Sequence, residues 1–299
     1  MKFRAPSKKA KYIERLLRAL LFLVTLIPLS VTFLVLCTLF YESLQFFEQV
    51  PLSKFLTELE WEPLIEPHHY GILPLFLGSA QILLISLALA LPASFLAAIY
   101  LSEFASDRTR NILKPSLEIL AGIPTVVFGF VALTTITPLL SHIFPSIEVF
   151  NALSASIVVA LMLLPMLISL FDDALHSIPQ HLRDSAFGLG ATSTEVILGI
   201  LVPAVKGRFM AAVLLAASRA LGETMAVTLA AGATPRLSIN PLLSIQTMTA
   251  YIVQVSMGDM PSGGIESLTT YAISLVLFLL CFTFNIWGTR LMKGDQLVS

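Results

Sequence analysis

The chain has 299 residues, of which 56% are apolar and only 12% carry charge, with a formal net charge of −1. That is about half the charge density of a soluble domain and argues against a water-soluble enzyme of this size. Near-neutrality without a concentrated basic surface also argues against nucleic-acid binding, and the two cysteines, Cys37 and Cys281, lie in apolar stretches where a thiol behaves as a small hydrophobe rather than a metal ligand or half of a disulfide.

Five stretches without Asp, Glu, Lys or Arg are each long enough to cross a bilayer: 19–41, 67–102, 119–147, 149–171 and 267–289. A sixth, 209–235, qualifies but for Arg219 and Glu223 in its middle. The expected fold is therefore all-α, a polytopic membrane protein with six transmembrane helices. At the N-terminus, Lys2, Arg4, Lys8, Lys9, Lys11, Arg15 and Arg18 face only Glu14, which keeps that end in the cytoplasm by the positive-inside rule. The first apolar stretch is too long for a signal-peptide core, and no small-residue cleavage site follows it before Glu42, so it reads as an uncleaved anchor.

Residues 42–70 carry Lys54 alone against Glu42, Glu48, Glu58, Glu60, Glu62 and Glu66, and are read as a wet outer loop. His68-His69 belongs to that loop as a solvated pair, since two adjacent histidines do not converge on one metal ion without further ligands. Pro92 in span two, and Gly122, Pro124, Gly129 and Pro138 in span three, mark kinks or close packing. The remaining inside segments collect Arg108, Arg110 and Lys114, then Arg183, Lys206 and Arg208, then Arg290 and Lys293, while the outer ones add only Arg236. Both termini are thus expected in the cytoplasm. The uncharged segment 242–256 is only about 22 Å long as a helix, and a seventh crossing would put Arg290 and Lys293 outside; it is expected to be re-entrant or interfacial on the outer face.

The longest inside segment, 172–208, has internal structure. Pro179 suits a first helical turn and Gly190 a C-terminal stop, which frames a short helix. Ile178, Leu182, Ala186 and Leu189 recur at helical spacing on one apolar face, with Gln180, Arg183 and Asp184 directed elsewhere. Thr192-Ser-Thr-Glu195 reads as a capping box opening a second helix that runs to Val202-Pro203. Asp184-Ser-Ala, three residues, Gly190, nine residues and Ile200-Leu-Val-Pro203 together resemble the EAA loop of ABC-transporter permease subunits, with Asp in place of Glu, Ser185 in place of Ala and Val202 in place of Leu. The resemblance implies a coupling helix that docks in a groove of a cytoplasmic ATPase, with Leu182, Asp184, Ser185, Ala186, Gly190, Ile200 and Pro203 as coupling residues. The plainer alternative is a surface connector. No G-x-x-x-x-G-K-[ST] string occurs, so no catalytic residue, metal or cofactor is expected on this chain, and ATP with Mg is expected on the partner ATPase.

Arg219 and Glu223 stand four residues apart, on one face of a continuous helix and able to pair. Each costs about 2.5–3.5 kcal/mol at the centre of an inserted helix. One reading is a salt bridge that locks span five to its neighbours. The other is a substrate pathway in which the guanidinium gives two charge-assisted hydrogen bonds to an oxyanion. A carboxylate nearby accepts a hydrogen bond from the P–OH group of hydrogen or dihydrogen phosphate and repels sulfate, which has no proton to donate.

The string from Ser218 to Val227, S-R-A-L-G-E-T-M-A-V, closely resembles a segment of PstC-type permeases of the phosphate-specific ABC importer, and the string from Glu118 to Gly129 resembles that family's segment entering the third span. The resemblance implies a MetI-like permease core over 71–293, preceded over 1–70 by a basic N-terminus, anchoring helix and acidic outer loop and followed by a short tail, 294–299. It also implies a PstA-type second permease, a dimer of PstB-type ATPase, a PstS-type phosphate-binding protein, and phosphate import across the bacterial inner membrane. Two alternatives remain open: an ABC permease for another oxyanion such as molybdate or sulfate, and a proton-coupled secondary carrier. The second accounts for the charged pair but not for the EAA-like loop.

Overall fold

The computed structural model describes residues 8–63, 66–258 and 264–296. Lys2, Arg4 and residues 297–299 lie outside the described residues, as do the side chains of Lys8, Lys11 and Lys293. In lipid, every backbone N–H and C=O has to be satisfied within its own segment, and the apolar stretches accordingly become helices. Four are long and apolar enough to cross a membrane, and two sharply bent pairs raise the number to as many as six.

The first, α1 (Lys8–Gln49), is exposed along its apolar length and packs along the last helix, α14 (Ile265–Gln296). It does not stop where the charge-free stretch does. Its last turns continue through 42–49, and the supposed wet loop behind it is a folded cap: α2 (Leu52–Thr57), then a two-residue antiparallel ladder of β1 (Trp61–Glu62) with β2 (His69–Tyr70). Phe46, Phe55, Trp61 and Tyr70 are buried together there, so aromatic burial rather than charge decides this region. His69 is not free in solvent either, since its Nδ1 lies 2.6 Å from Glu58 Oε1. Burial acts to raise the Glu58 carboxyl, but the His69 contact, the Tyr70 amide and Lys54 outweigh it and hold the group below its ordinary value.

The core joins α3 (Leu73–Ile99), α7 (Ala152–His176), α11 (Lys206–Leu221) and α12 (Met225–Ala231). Ala90, Ala98, Ala155, Ala212, Ala216, Ala226 and Ala230 form much of it, and such small residues let helices pack backbone to backbone where lipid removes the usual hydrophobic drive. A Cβ on Gly129 would lie 3.1 Å from Ala226 Cα, which accounts for glycine at that crossing.

Two expected spans are broken. The third separates at Gly122–Pro124 into α4 (Asp107–Ala121) and α5 (Thr125–Val131), with a bend of 87° between α4 and the segment running on through a π-turn to α6 (Thr137–Ser141). Gly122 ends the first arm and Pro124 caps the second, so the charge-free stretch from 119 breaks at 122–124 instead of running on as one helix, and α4 buries no residue. The fifth stops at Leu221 and resumes as α12.

The segment 242–256 is not a crossing. Its helix, α13 (Met248–Met257), has ten residues, about 15 Å, with Met248, Thr249, Ala250 and Tyr251 buried. The irregular lead into it folds back on the ends of α7 and α12: Ala152 N donates to Leu243 O at 3.2 Å and Ile245 N to Ala231 O at 3.0 Å. Of the two expectations, re-entry fits better than lying on the surface.

Candidate functional site

Two sites can be built from these elements, one at the end of the bundle that carries the basic loop and one along the broken fifth span. At the basic end, α8 (Gln180–Gly188) follows Pro179. Its stop is a left-handed glycine: Gly190 has φ +85°, its N–H donates to Phe187 O at 2.9 Å, and Ala191 N donates to Ala186 O at 3.2 Å. The capping box is present in both directions, Thr192 Oγ1 accepting from Glu195 N while the Glu195 carboxylate accepts from Thr192 N. The Thr192 amide foremost, and the Thr192 hydroxyl donating to the same carboxylate at 2.8 Å, lower the Glu195 pKa. The second helix forms from α9 (Ser193–Val196), a π-turn (Ile197–Leu201) and α10 (Val202–Ala204), ends as expected beside Pro203, and meets α11 at 67°.

The faces of α8 differ from the spacing argument. Ile178 and Ala186 are buried against Leu175, Val196, Ile197 and Leu201, whereas Leu182, Phe187 and Leu189 are exposed, Leu189 by 90%. Asp184, Ser185, Gly190 and Pro203 are also exposed, and Ile200 is half-buried. Arg183, expected to point away, is only 9% exposed. It donates to Ile178 O at 2.8 Å, Leu175 O at 2.9 Å and Glu103 Oε1 at 3.0 Å. The last carbonyls of a helix lack intrahelical donors and carry partial negative charge, so the end of α7 is a ready acceptor for this guanidinium. Arg183 therefore fastens α8 to α7 and to the π-turn (Tyr100–Phe104) that ends α3.

A second polar fastening joins α4 to the last turns of α7. Asp172 is fully buried; its Oδ2 accepts from Arg110 Nη2 at 3.0 Å and lies 2.6 Å from Lys114 Nζ. Arg110 also donates to His176 Nε2. Neither fastening was foreseen, because residues far apart in sequence create both; the available signal was an acid, Asp172, at the end of an otherwise uncharged span.

Arg219 and Glu223 do not share a helical face. Gly222 ends α11, Thr224 Oγ1 donates back to Gly222 O at 3.0 Å, and Glu223 sits ahead of α12, its Oε1 accepting from Ala226 N at 3.4 Å. An acid there complements the positive end of the new helix. Glu223 O accepts from Thr249 Oγ1 at 2.9 Å, and the residue borders a narrow crevice with Ser79, Thr247 and Thr249. Among the described residues, no ion pair joins the two, and none holds the Arg219 guanidinium. Arg219 is exposed and lines a cavity of about 370 Å³ between α4, α7 and α11, together with Lys114, Glu118, Met162 and Ser169. The chemistry on offer is a free, planar cation in a partly apolar cavity, suited to an oxyanion. Among the described residues, no group of three or more His, Cys, Asp or Glu is placed to hold a metal.

Comparison with known proteins bears on the family and the fold. Residues 90–294 match the model of the binding-protein-dependent transport system inner membrane component family. The chain is 36% identical over 231 residues to the probable ABC transporter permease protein YqgH of Bacillus subtilis, covering 77% of this chain and 74% of the relative. It is 31% identical over 259 residues to the phosphate transport system permease protein PstC of Haemophilus influenzae, covering 80% of each. Among solved structures, a bacterial ABC transporter involved in alginate import aligns with TM-score 0.58 at 16% identity over 94% of this chain and 99% of that one. The MetNI methionine ABC transporter in an inward-facing conformation aligns with TM-score 0.54 at 14% identity over 75% and 94%. These two show the fold alone, a MetI-like ABC-permease bundle.

Proposed function

The chain belongs to the family of binding-protein-dependent transport system inner membrane components, and from that membership we propose that it passes phosphate, as the PstC-type subunit of an ATP-driven importer. At the coarser level it is a transmembrane ABC-importer permease subunit, which forms a translocation pathway with a partner permease and is driven by a separate ATPase. The observation that carries the finer reading is Arg219: a guanidinium with no protein partner among the described residues, facing a cavity that reaches toward α8. An unpaired cation at that depth is costly, and the cost is offset when an anion binds it.

In this reading residues 1–70 form the cytoplasmic N-terminus, anchoring helix and external cap, 71–293 the permease domain, and 294–299 a cytoplasmic tail. α8 faces the cytoplasm and presents Leu182, Phe187 and Leu189 to the groove of a PstB-type ATPase dimer. Arg183 makes α8, α7 and the end of α3 move as one unit. A PstA-type permease completes the path, and a PstS-type binding protein delivers phosphate at the acidic end. Glu223, nearer that end, accepts a hydrogen bond from the P–OH group of hydrogen phosphate before the anion reaches Arg219.

ATP-dependent uptake of labelled phosphate by the complete complex in proteoliposomes tests this, with sulfate and molybdate as competitors. Phosphate uptake that neither competitor suppresses supports it, and Glu223→Gln is expected to narrow the preference over sulfate. Uptake of molybdate or sulfate in place of phosphate contradicts it.

A further inference from the structure

Arg219 is not the only cation in its cavity. Lys114 lines the same space from α4, and on α7 the lining runs from Met162 to Ser169, about 10 Å along the helix axis toward the end that carries α8. The cavity is thus a passage from the depth of Arg219 to the level of Lys114. Resting on the phosphate reading above, we propose that Lys114 is a second oxyanion-binding group, shared between the departing anion and Asp172.

Three features support this. Lys114 Nζ lies 2.6 Å from Asp172 Oδ2 and 3.7 Å from Asp173 Oδ1, yet its side chain is 34% exposed, so it is held without being sealed in. Asp172 keeps a second cation when Lys114 leaves, because Arg110 Nη2 donates to the same oxygen at 3.0 Å. The buried carboxylate is therefore never stranded, and the lysine is free to swing. Moreover, Lys and Arg occupy opposite roles here: Arg110 makes fixed, directed contacts to Asp172 and His176, whereas an ammonium on a flexible stem exchanges partners readily. Glu118, one turn beyond Lys114 on the same helix, also lines the cavity and repels an anion that lingers. Asp172 then competes with the anion for Lys114, and its recapture of the ammonium releases the anion.

Equilibrium binding of labelled inorganic phosphate tests the proposal, using the complete complex in nanodiscs without nucleotide or binding protein. Lys114→Gln is expected to weaken binding about tenfold. Asp172→Asn, which frees the ammonium, is expected to tighten it, a result that a purely structural role of the contact would not give. Thermal unfolding confirms that each variant is folded; should Asp172→Asn fail to fold, Lys114→Gln decides alone. Unchanged binding by Lys114→Gln, or weakening by both variants, overturns the second station. If the wild-type complex neither binds nor imports phosphate, the phosphate reading itself fails; if it imports phosphate and Lys114→Gln binds it as well as wild type, only the station fails.

Discussion

The two ends of the bundle are closed in opposite ways. At the acidic end aromatic rings bury one another: Phe46, Phe55, Trp61 and Tyr251 are at most 2% exposed, with edge-on ring contacts at 5.0–6.4 Å. At the basic end the arrangement is inverted. Charged groups lie inside, Arg183 on Glu103 and Asp172 between Arg110 and Lys114, while Leu182, Phe187 and Leu189 are left outside. The acidic end also leaves Leu52, Leu56 and Leu59 exposed, so the two ends differ in what they bury, aromatic rings at one and ion pairs at the other, rather than in whether apolar side chains face outward. In the proposed function, Leu182, Phe187 and Leu189 are the apolar side chains that the ATPase covers, and the ion-paired scaffold beneath them moves as one unit.

The sharpest way to break this comparison is to truncate one anchor at each end. Arg183→Ala strands Glu103, the Leu175 carbonyl at the end of α7 and the Ile178 carbonyl in the connector beyond it, and Phe55→Ala empties the middle of the cap; each is expected to cost about 3–5 kcal/mol in thermal unfolding. Only the first should separate ATP hydrolysis from uptake in the reconstituted complex, leaving hydrolysis while transport falls at least tenfold. Equal uncoupling by both would mean that Arg183 is merely stabilising. A smaller effect is expected of Leu189→Glu. Because Leu189 is 90% exposed, stability should shift by no more than about 0.5 kcal/mol, while recovery of the ATPase in pull-down falls about tenfold. Unchanged recovery would contradict docking on this face.

The smallest effect concerns the cap and pH. The Glu58 hydrogen bond raises the His69 pKa above its ordinary 6.5, so this contribution to stability is complete below pH 6.5 and lost as pH rises through the folded value. Glu58 is held below its ordinary 4.5, so its contribution is complete above pH 4.5 and lost as pH falls through the folded value. The cap is therefore expected to be tightest between about pH 4.5 and 6.5, loosening on both sides, as followed by Trp61 fluorescence after Trp287→Phe. A flat profile would dissociate the pair from cap stability.

Local signals were legible in the sequence and tertiary ones were not. Gly190 and the Thr192–Glu195 box act through neighbours within a few residues, and both form as their chemistry requires. Charge-free length located the apolar segments but averaged across their breaks: Gly122 and Pro124 were visible as a kink, not as a bend of 87° between two separate helices. The Arg219–Glu223 pairing assumed an unbroken helix, and Gly222 was the residue that argued otherwise. Phe46, Phe47, Phe55 and Trp61 marked a core in the outer loop that counting its glutamates concealed. The burial of Arg183 left no signal in its own segment, since its charged partner Glu103 lies 80 residues away and its other acceptors are backbone carbonyls.

Accessibility of position 219 bears most directly on the whole reading. In a complex whose Cys37 and Cys281 are replaced by serine, Arg219→Cys should react with a membrane-impermeant thiol reagent from the side of α8 without nucleotide, and become protected when the ATPase is locked closed on ATP. A cysteine there that reacts from neither side in any state would contradict the assignment of Arg219 to the path.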